Sequence, residues 1–354
     1  MTEVRHQVTT ADRAAMTAMR AKLAAAPIQV TRESYDALLE RVPPADSVAY
    51  SEGEVGGVPG VWCTPKAHRA SDALLYLHGG VFVFGSAHGY RHFVGQIAAR
   101  AGMRAFAADY RRAPEHPFPA ALDDARAAYR GLTAQFTASH VALIGDSAGG
   151  GLALSLLRDE SAARCGVLLS PWTDLALTGG TIEGNAGGDP VLSRAALEAG
   201  AAQYLGRRDR KDPRASPLYG RTRGTPSIQV HVGTAEVLLD DSLRLATHDR
   251  VEVHTWEDMP HVFPTNVGLF EASDVALDLM ATFVRTELAW PATRAVAHPG
   301  GTLEPDRTGY HVLRSDPEAS GRSRTVAAPP PEARPTPGRA RRAAKTGDGR
   351  PLRR

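Results

Sequence analysis

The sequence is poor in the features that would place it outside ordinary globular chemistry. It has two cysteines, Cys63 and Cys165, with no Cys-x-x-Cys and no Cys/His cluster at ligand spacing. That excludes a disulfide framework and argues against a zinc site. No apolar run is long enough to span a bilayer, and the opening stretch MTEVRHQVTTADRAAM has no apolar signal-type region. A cytoplasmic, reducing location is therefore the expectation. Net charge is only +2. It is unevenly spread: from Gly321 to the end there are ten Lys/Arg against two Asp/Glu, which leaves roughly −6 for the remainder. The folded part thus offers no basic surface for nucleic acid, and no cofactor-binding or metal-binding signature stands out.

At 354 residues with 43% hydrophobic content the chain can bury a sizeable core. Short apolar runs at Ala73–Leu77, Arg104–Ala108, Val141–Ile144, Val167–Leu169, Ile228–Val232 and Val251–Trp256 read as strands. Helical patterns separate most of them, near 89–101, 119–132, 148–158, 193–205 and 273–288, and a Gly-punctuated first hairpin falls at Val55–Cys63. The alternation predicts an α/β fold with a mostly parallel central sheet and helices on both faces. Ahead of it, residues 10–42 read as two helices, the first capped by Thr10 and stopped at Pro27, the second carrying Tyr35, Leu38, Leu39 and Val42 before Pro43-Pro44. Two roles stand open for this 1–50 segment, packing against the main domain or forming a lid. The 51–290 region is the expected core. Within it the Gly-rich stretch 172–224 interrupts the alternation and is read as a second piece of the lid. From 291 to 354 the Pro/Arg-rich composition predicts a disordered tail.

Chemistry concentrates at Gly145-Asp146-Ser147-Ala148-Gly149, a Gly-x-Ser-x-Gly string between an apolar strand and a helical pattern. On such a sharp turn the serine is held exposed at a helix N-terminus, where backbone N–H groups face a developing negative charge. Leu77-His78-Gly79-Gly80-Val81-Phe82 follows an earlier strand and can present bare N–H groups to an oxyanion. The proline-rich loop Asp109–Pro119 is rigid, with Tyr110, Arg111 and Glu115 bracing it. Late in the chain come Gly233–Asp241 and Asp258-Met259-Pro260-His261-Val262-Phe263, each after a strand. The order serine, acid, histidine is that of an α/β-hydrolase. His261 would take the Ser147 proton and return it to the leaving group.

Together, Gly-Asp-Ser-Ala-Gly-Gly (145–150), the Asp109–Ala120 block, Ser-Pro-Trp-Thr-Asp-Leu (170–175) and Met-Pro-His-Val-Phe (259–263) resemble motifs of the hormone-sensitive-lipase-like esterases, the bacterial family IV carboxylesterases. The resemblance spans roughly residues 10–290. It implies an α/β-hydrolase core, a helical cap and hydrolysis of short-chain carboxylic esters, and within the family it is nearest the branch containing lactone hydrolases and acetyl-hydrolases. Carried over by position, the nucleophile is Ser147, the base His261 and the acid Glu236, with Asp240 and Asp241 as rival acids that more naturally cap or solvate a helix. The oxyanion donors are the N–H groups of Gly80, Val81 and Ala148.

Two departures from the family pattern stand out. Val81 occupies a usual third glycine, and its β-branch disfavours φ > 0, crowds the acyl group and is expected to narrow the pocket or lower activity. The 25-residue step from Glu236 to His261 is short, which could misplace the base. Phe82, Phe84 and Trp172 are candidates for the substrate pocket or for the core. His78 is expected to orient the oxyanion loop, Asp146 to bond neighbouring backbone, and His88, His92 and His116 to be loop or surface residues. Asp189-Pro190 reads as a turn leading into a helix. The expected function is a serine hydrolase of short-chain esters or lactones acting through acyl-Ser147, without cofactor or metal, on a small-molecule substrate; a homodimer is an allowed assembly. Two alternatives stay open: an N-acetyl-hydrolase or amidase of a secondary metabolite, and a catalytically weakened binding protein on the same fold.

Overall fold

A computed structural model describes residues 2–25, 30–159, 163–220, 224–289 and 312–314, all within the unit 1–315. In chain order the strands are β1 (Thr2–His6), β2 (Val48–Val55), β3 (Val58–Pro65), β4 (Arg69–Leu77), β5 (Met103–Ala108), β6 (Val141–Asp146), β7 (Cys165–Leu169), β8 (Ser227–Gly233), β9 (Val251–Trp256) and β10 (Val312–Arg314). The helices are α1 (Thr10–Ala25), α2 (Arg32–Leu39), α3 (Ala87–Ala101), α4 (Ala120–Gln135), α5 (Ser147–Asp159), α6 (Thr181–Gly184), α7 (Arg194–Leu205), α8 (Leu239–Leu245) and α9 (Glu271–Ala289).

The strands form one sheet in the order β10-β1-β9-β8-β7-β6-β4-β5-β3-β2. From β1 to β5 every neighbouring pair is parallel; β5–β3, β3–β2 and β1–β10 are antiparallel. The reason is visible in β4, where Ala73, Leu75 and Leu77 enter one core and Leu74 and Tyr76 the other. A strand buried on both faces reads as an unbroken apolar run and needs helices above and below it. One face is covered by α4, α5 and α8 through Leu122, Leu152, Leu156 and Leu245. The other is covered by α3 and α9 through Phe93, Ile97, Leu277 and Met280.

Several expectations shift in detail. The hairpin is longer than Val55–Cys63: it is β2–β3, with Gly56-Gly57 at positive φ in its turn. The cap of α1 is Thr9 rather than Thr10, because the Thr9 hydroxyl accepts from Asp12 N while the Asp12 carboxylate accepts from Thr9 N. Pro27 lies outside the described residues. Strand β1 has no alternating pattern long enough to be read from sequence; pairing with β9 creates it. The expected 291–354 tail lies outside the described residues except for Val312–Arg314, which add the edge strand β10 in place of irregular chain.

Candidate active site

The loops that carry chemistry leave the C-terminal ends of β4, β6, β7, β8 and β9, the edge where parallel α/β sheets place their ligands. Ser147 is the first residue of α5, directly after β6, with φ 51°. A non-glycine residue in that region is strained, and close packing holds it there. A Cβ on Gly149 would come 2.0 Å from Leu77 O, and one on Gly145 2.4 Å from Gly149 O, so the two flanking glycines are what allow the turn. The same approach presses residues 77–80 against the Ser147 turn, and Gly79 N donates to Asp146 Oδ1 at 2.8 Å.

Ser147 Oγ is 3.0 Å from His261 Nε2, and His261 Nδ1 is 2.8 Å from Glu236 Oε2. The three side chains come from residues up to 114 apart in sequence. The 25-residue step from Glu236 to His261 leaves the imidazole in contact with Ser147; it holds α8, two turns long, a left-handed residue at Arg250 and β9. The other oxygen of Glu236 accepts from Gly233 N at 2.7 Å and from Ser170 Oγ at 2.8 Å. Ser170 also accepts from Val262 N at 3.0 Å, and so joins the acid to the residue after the base. Its role was not read from the sequence, although it opens the Ser-Pro-Trp-Thr-Asp-Leu string.

Glu236 is fully buried, and burial pushes its pKa up while the bond to His261 opposes that. Burial alone would lower the pKa of His261. The hydrogen bond and charge of Glu236, with the charges of Asp189 and Asp146 behind it, outweigh burial and raise it above the ordinary histidine value. Neither rival acid reaches the imidazole. Asp240 accepts from Thr181 N. Asp241 is not solvated: it is buried and accepts from Thr173 N and Asp174 N at 2.7 and 2.9 Å.

The backbone departs most from expectation at Gly80–Phe82. Val81 and Phe82 both adopt positive φ, 49° and 65°, despite the β-branch of Val81. The turn is closed by Val83 N and Phe84 N, both donating to Gly80 O. Helix α7 packs over it with one face: Tyr204 stacks on Phe82 with ring centroids 3.8 Å apart, and Gly200 sits against Val81. Ala148 lies in the first turn of α5, where helix geometry gives an N–H no intrahelical partner.

Of the expected pocket aromatics, Phe82 and Trp172 are fully buried and tilt against each other, while Phe84 keeps part of its surface exposed. His78 Nδ1 is 2.8 Å from Gly79 O and its ring stacks on Tyr110; burial lowers its pKa to about 4, so it stays neutral. Asp146 accepts from Tyr76 and Tyr90 hydroxyls as well as from Gly79 N, and burial raises its pKa to about 6. His92 meets Val42 O and His88 pairs with Glu40, both away from the serine, and His116 is exposed. Arg111 pairs with Asp124 and Glu115 with Arg32. Two surface cavities of about 320 and 360 Å³ are lined by residues other than Ser147, His261 and Glu236. Among the described residues no His/Cys/Asp/Glu group is arranged to hold a metal, and no helix is long and apolar enough to cross a membrane.

The fold and this serine–histidine–glutamate contact define an α/β-hydrolase. The α/β-hydrolase fold profile matches residues 74–265. An acetyl-hydrolase of Streptomyces hygroscopicus is 36% identical over 275 residues, covering 73% of this chain and 90% of that protein. An esterase of Acinetobacter venetianus is 35% identical, covering 63% and 77%. The crystal structure of an esterase from the bacterial hormone-sensitive lipase family superposes with a TM-score of 0.74 at 36% identity, over 79% of this chain and 99% of that one. The chain belongs to the hormone-sensitive-lipase-like carboxylesterases, serine hydrolases of the α/β-hydrolase fold.

Proposed function

We propose that this protein hydrolyses short-chain carboxylic esters or lactones through an acyl-Ser147 intermediate. The observation that carries the reading is the unbroken contact Ser147 Oγ–His261 Nε2–Glu236, at 3.0 and 2.8 Å. Ser147 Oγ attacks the ester carbonyl carbon while its proton passes to His261 Nε2. The carbonyl oxygen becomes an oxyanion that accepts from the N–H groups of Gly80, Val81 and Ala148. Collapse breaks the ester C–O bond, and His261 gives its proton to the departing alkoxide. Water then attacks the acyl-enzyme, loses a proton to His261 and releases the acid, and Ser147 regains its proton. Glu236 stays ionised, holds the imidazole tautomer and stabilises the imidazolium.

The 1–50 and 172–224 segments act in this reading as a two-part cap. Arg32 of α2 donates to Val83 O and Ala113 O at 2.9 Å, and α7 covers Val81 and Phe82, so one piece touches the residue after the Gly80–Phe82 turn and the other the turn itself. Both cysteines are buried and unpaired, which fits a cytoplasmic location.

The test is hydrolysis of p-nitrophenyl esters from acetate to decanoate, with Ser147→Ala in parallel. Activity on the shorter esters that vanishes in the variant supports the reading; equal rates in the two proteins refute it. An N-acetyl-hydrolase activity is the second reading, favoured by the acetyl-hydrolase name of a relative. Faster turnover of an acetanilide than of the matched acetate ester would select it. The binding-only alternative loses one of its two supports, because the shortened segment leaves His261 in contact with Ser147.

A further inference from the structure

The insertion between β7 and β8 does more than cover the site: it grips the loop that carries the acid. Asn185 Nδ2 donates to Thr234 O and Glu236 O at 3.0 and 2.9 Å, bridging the residues that flank the approach to Glu236. Thr181 Oγ1 donates to Val237 O at 2.8 Å and accepts from Asp240 N at 2.9 Å. Asp189 takes the next N–H: Val237 N donates to its Oδ2 at 3.0 Å. The other oxygen of Asp189 accepts from Val191 N and Leu192 N at 2.9 and 3.0 Å, just before α7 begins.

Asp189 therefore joins two structures. One oxygen holds the backbone of the acid loop, one residue beyond Glu236. The other holds the chain leading into α7, whose Gly200 and Tyr204 face the oxyanion turn. All three bonds come from backbone N–H groups, which carry no net charge. Among the described residues no cation pairs with Asp189, so its negative charge is localised and not neutralised.

We propose that Asp189 is a positioning residue for the Glu236–His261 pair, a second carboxylate that fixes the acid loop and adds a negative charge to the surroundings of the base. The charged groups acting on His261 are Glu236 from the loop after β8, Asp189 from the 185–192 segment and Asp146 from the end of β6. All three are acidic, and each favours the imidazolium that forms when Ser147 gives up its proton. Glu236 does so by direct contact. Asp146 acts from the end of β6, where it accepts from two tyrosine hydroxyls and Gly79 N. Asp189 acts at longer range.

The sign follows directly. Removing the Asp189 charge favours neutral His261, so the base stays unprotonated to lower pH. The proposal rests on the Ser147–His261–Glu236 reading, and the experiment separates the two. kcat/KM for p-nitrophenyl acetate is measured against pH in the wild type, Asp189→Asn, Asp189→Glu and Asn185→Ala, with Ser147→Ala as the blank. In Asp189→Asn the acid limb moves to lower pH by about half a unit to one unit, and plateau kcat falls by roughly 3–10-fold as the acid loop loosens. Asp189→Glu returns the limb toward the wild-type position even where kcat stays low. Asn185→Ala, which loosens the same loop without changing charge, lowers kcat and leaves the limb in place. Should Asp189→Asn not fold, Asp189→Ser, which keeps an acceptor without charge, is read the same way. An unmoved acid limb in an active uncharged variant overturns the proposal. Activity surviving in Ser147→Ala overturns the underlying reading instead.

Discussion

Gly200 of α7 packs against Val81 in the turn proposed to bind the oxyanion, and adding one methyl there tests how that turn is held. An alanine Cβ at position 200 would lie 2.8 Å from Val81 Cβ and 3.0 Å from Val81 O. Neither atom is the free end of a flexible side chain, so relief requires moving α7 or the turn. In an exposed helix the same Gly→Ala change would stabilise by about 1 kcal/mol through backbone entropy. Here overpacking opposes it, at about 1–3 kcal/mol. Val81 already sits at φ 49°, a conformation costing about 1–2 kcal/mol in a β-branched residue, so it has little room to yield.

Gly200→Ala is therefore expected to destabilise by about 1 kcal/mol net and to turn the Val81 N–H out of line. Losing one oxyanion donor costs on the order of 10²–10³ in kcat, so a partial misalignment should cost about 10-fold or more. The sharper result is the double-mutant cycle. In a Val81→Gly background the Cβ–Cβ clash is gone; the 3.0 Å contact with the backbone O of residue 81 remains, but glycine holds the positive φ without strain and can shift, so Gly200→Ala should cost less than in wild type, down to about zero, and leave kcat near that of Val81→Gly alone. Urea denaturation and p-nitrophenyl ester kinetics, run over acyl lengths from acetate to octanoate, read both quantities in all four proteins. If Gly200→Ala has the same effect in both backgrounds, Val81 is not held by α7 and the argument fails. If Val81→Gly leaves the acyl-length preference unchanged, Val81 does not shape the acyl site.

Two further outcomes follow from the site itself. Ser170→Ala leaves Val262 N–H without its acceptor and Glu236 with one donor fewer, at about 1–3 kcal/mol of stability in chemical denaturation and a fall in kcat greater than in KM; unchanged stability would mean that Ser170 is not a joint between acid and base. In the pH profile of kcat/KM, the wild-type acid limb lies above the ordinary histidine value of about 6.5, because the base works only when neutral and its pKa is raised. Glu236→Gln removes the main cause, so the limb moves down while kcat falls by on the order of 10³–10⁴; a limb that stays put would separate Glu236 from the base.

Much of the site is legible before folding because its residue types carry local geometry. Gly145-x-Ser147-x-Gly149 names a turn that only glycines permit, and an acid and His261 follow strands in the order an α/β sheet requires; the choice of Glu236 over Asp240 and Asp241 came from the resemblance to the family. The parallel core is legible for a similar reason: a strand buried on both faces, such as Leu74–Leu77, must be apolar throughout. Ser170, Asn185 and Asp189 were not legible in their roles. Serine, asparagine and aspartate are common in any loop, and these partners lie 48–92 residues away in sequence.

The sequence by itself determined the alternation of the central strands and helices, the turn that carries Ser147, which the fold buries rather than exposes, and the chain order of the candidate site residues. Each depends on periodicity or on backbone freedom within a few positions. Tertiary structure alone decided that Val81 adopts a left-handed conformation, that a two-turn α8 delivers His261 to Ser147, and that Thr2–His6 becomes a strand. Each of those outcomes costs free energy or gains nothing locally. Each is stabilised by contacts from distant segments: α7 over the oxyanion turn, Glu236 and Ser170 around the base, and β9 beside β1.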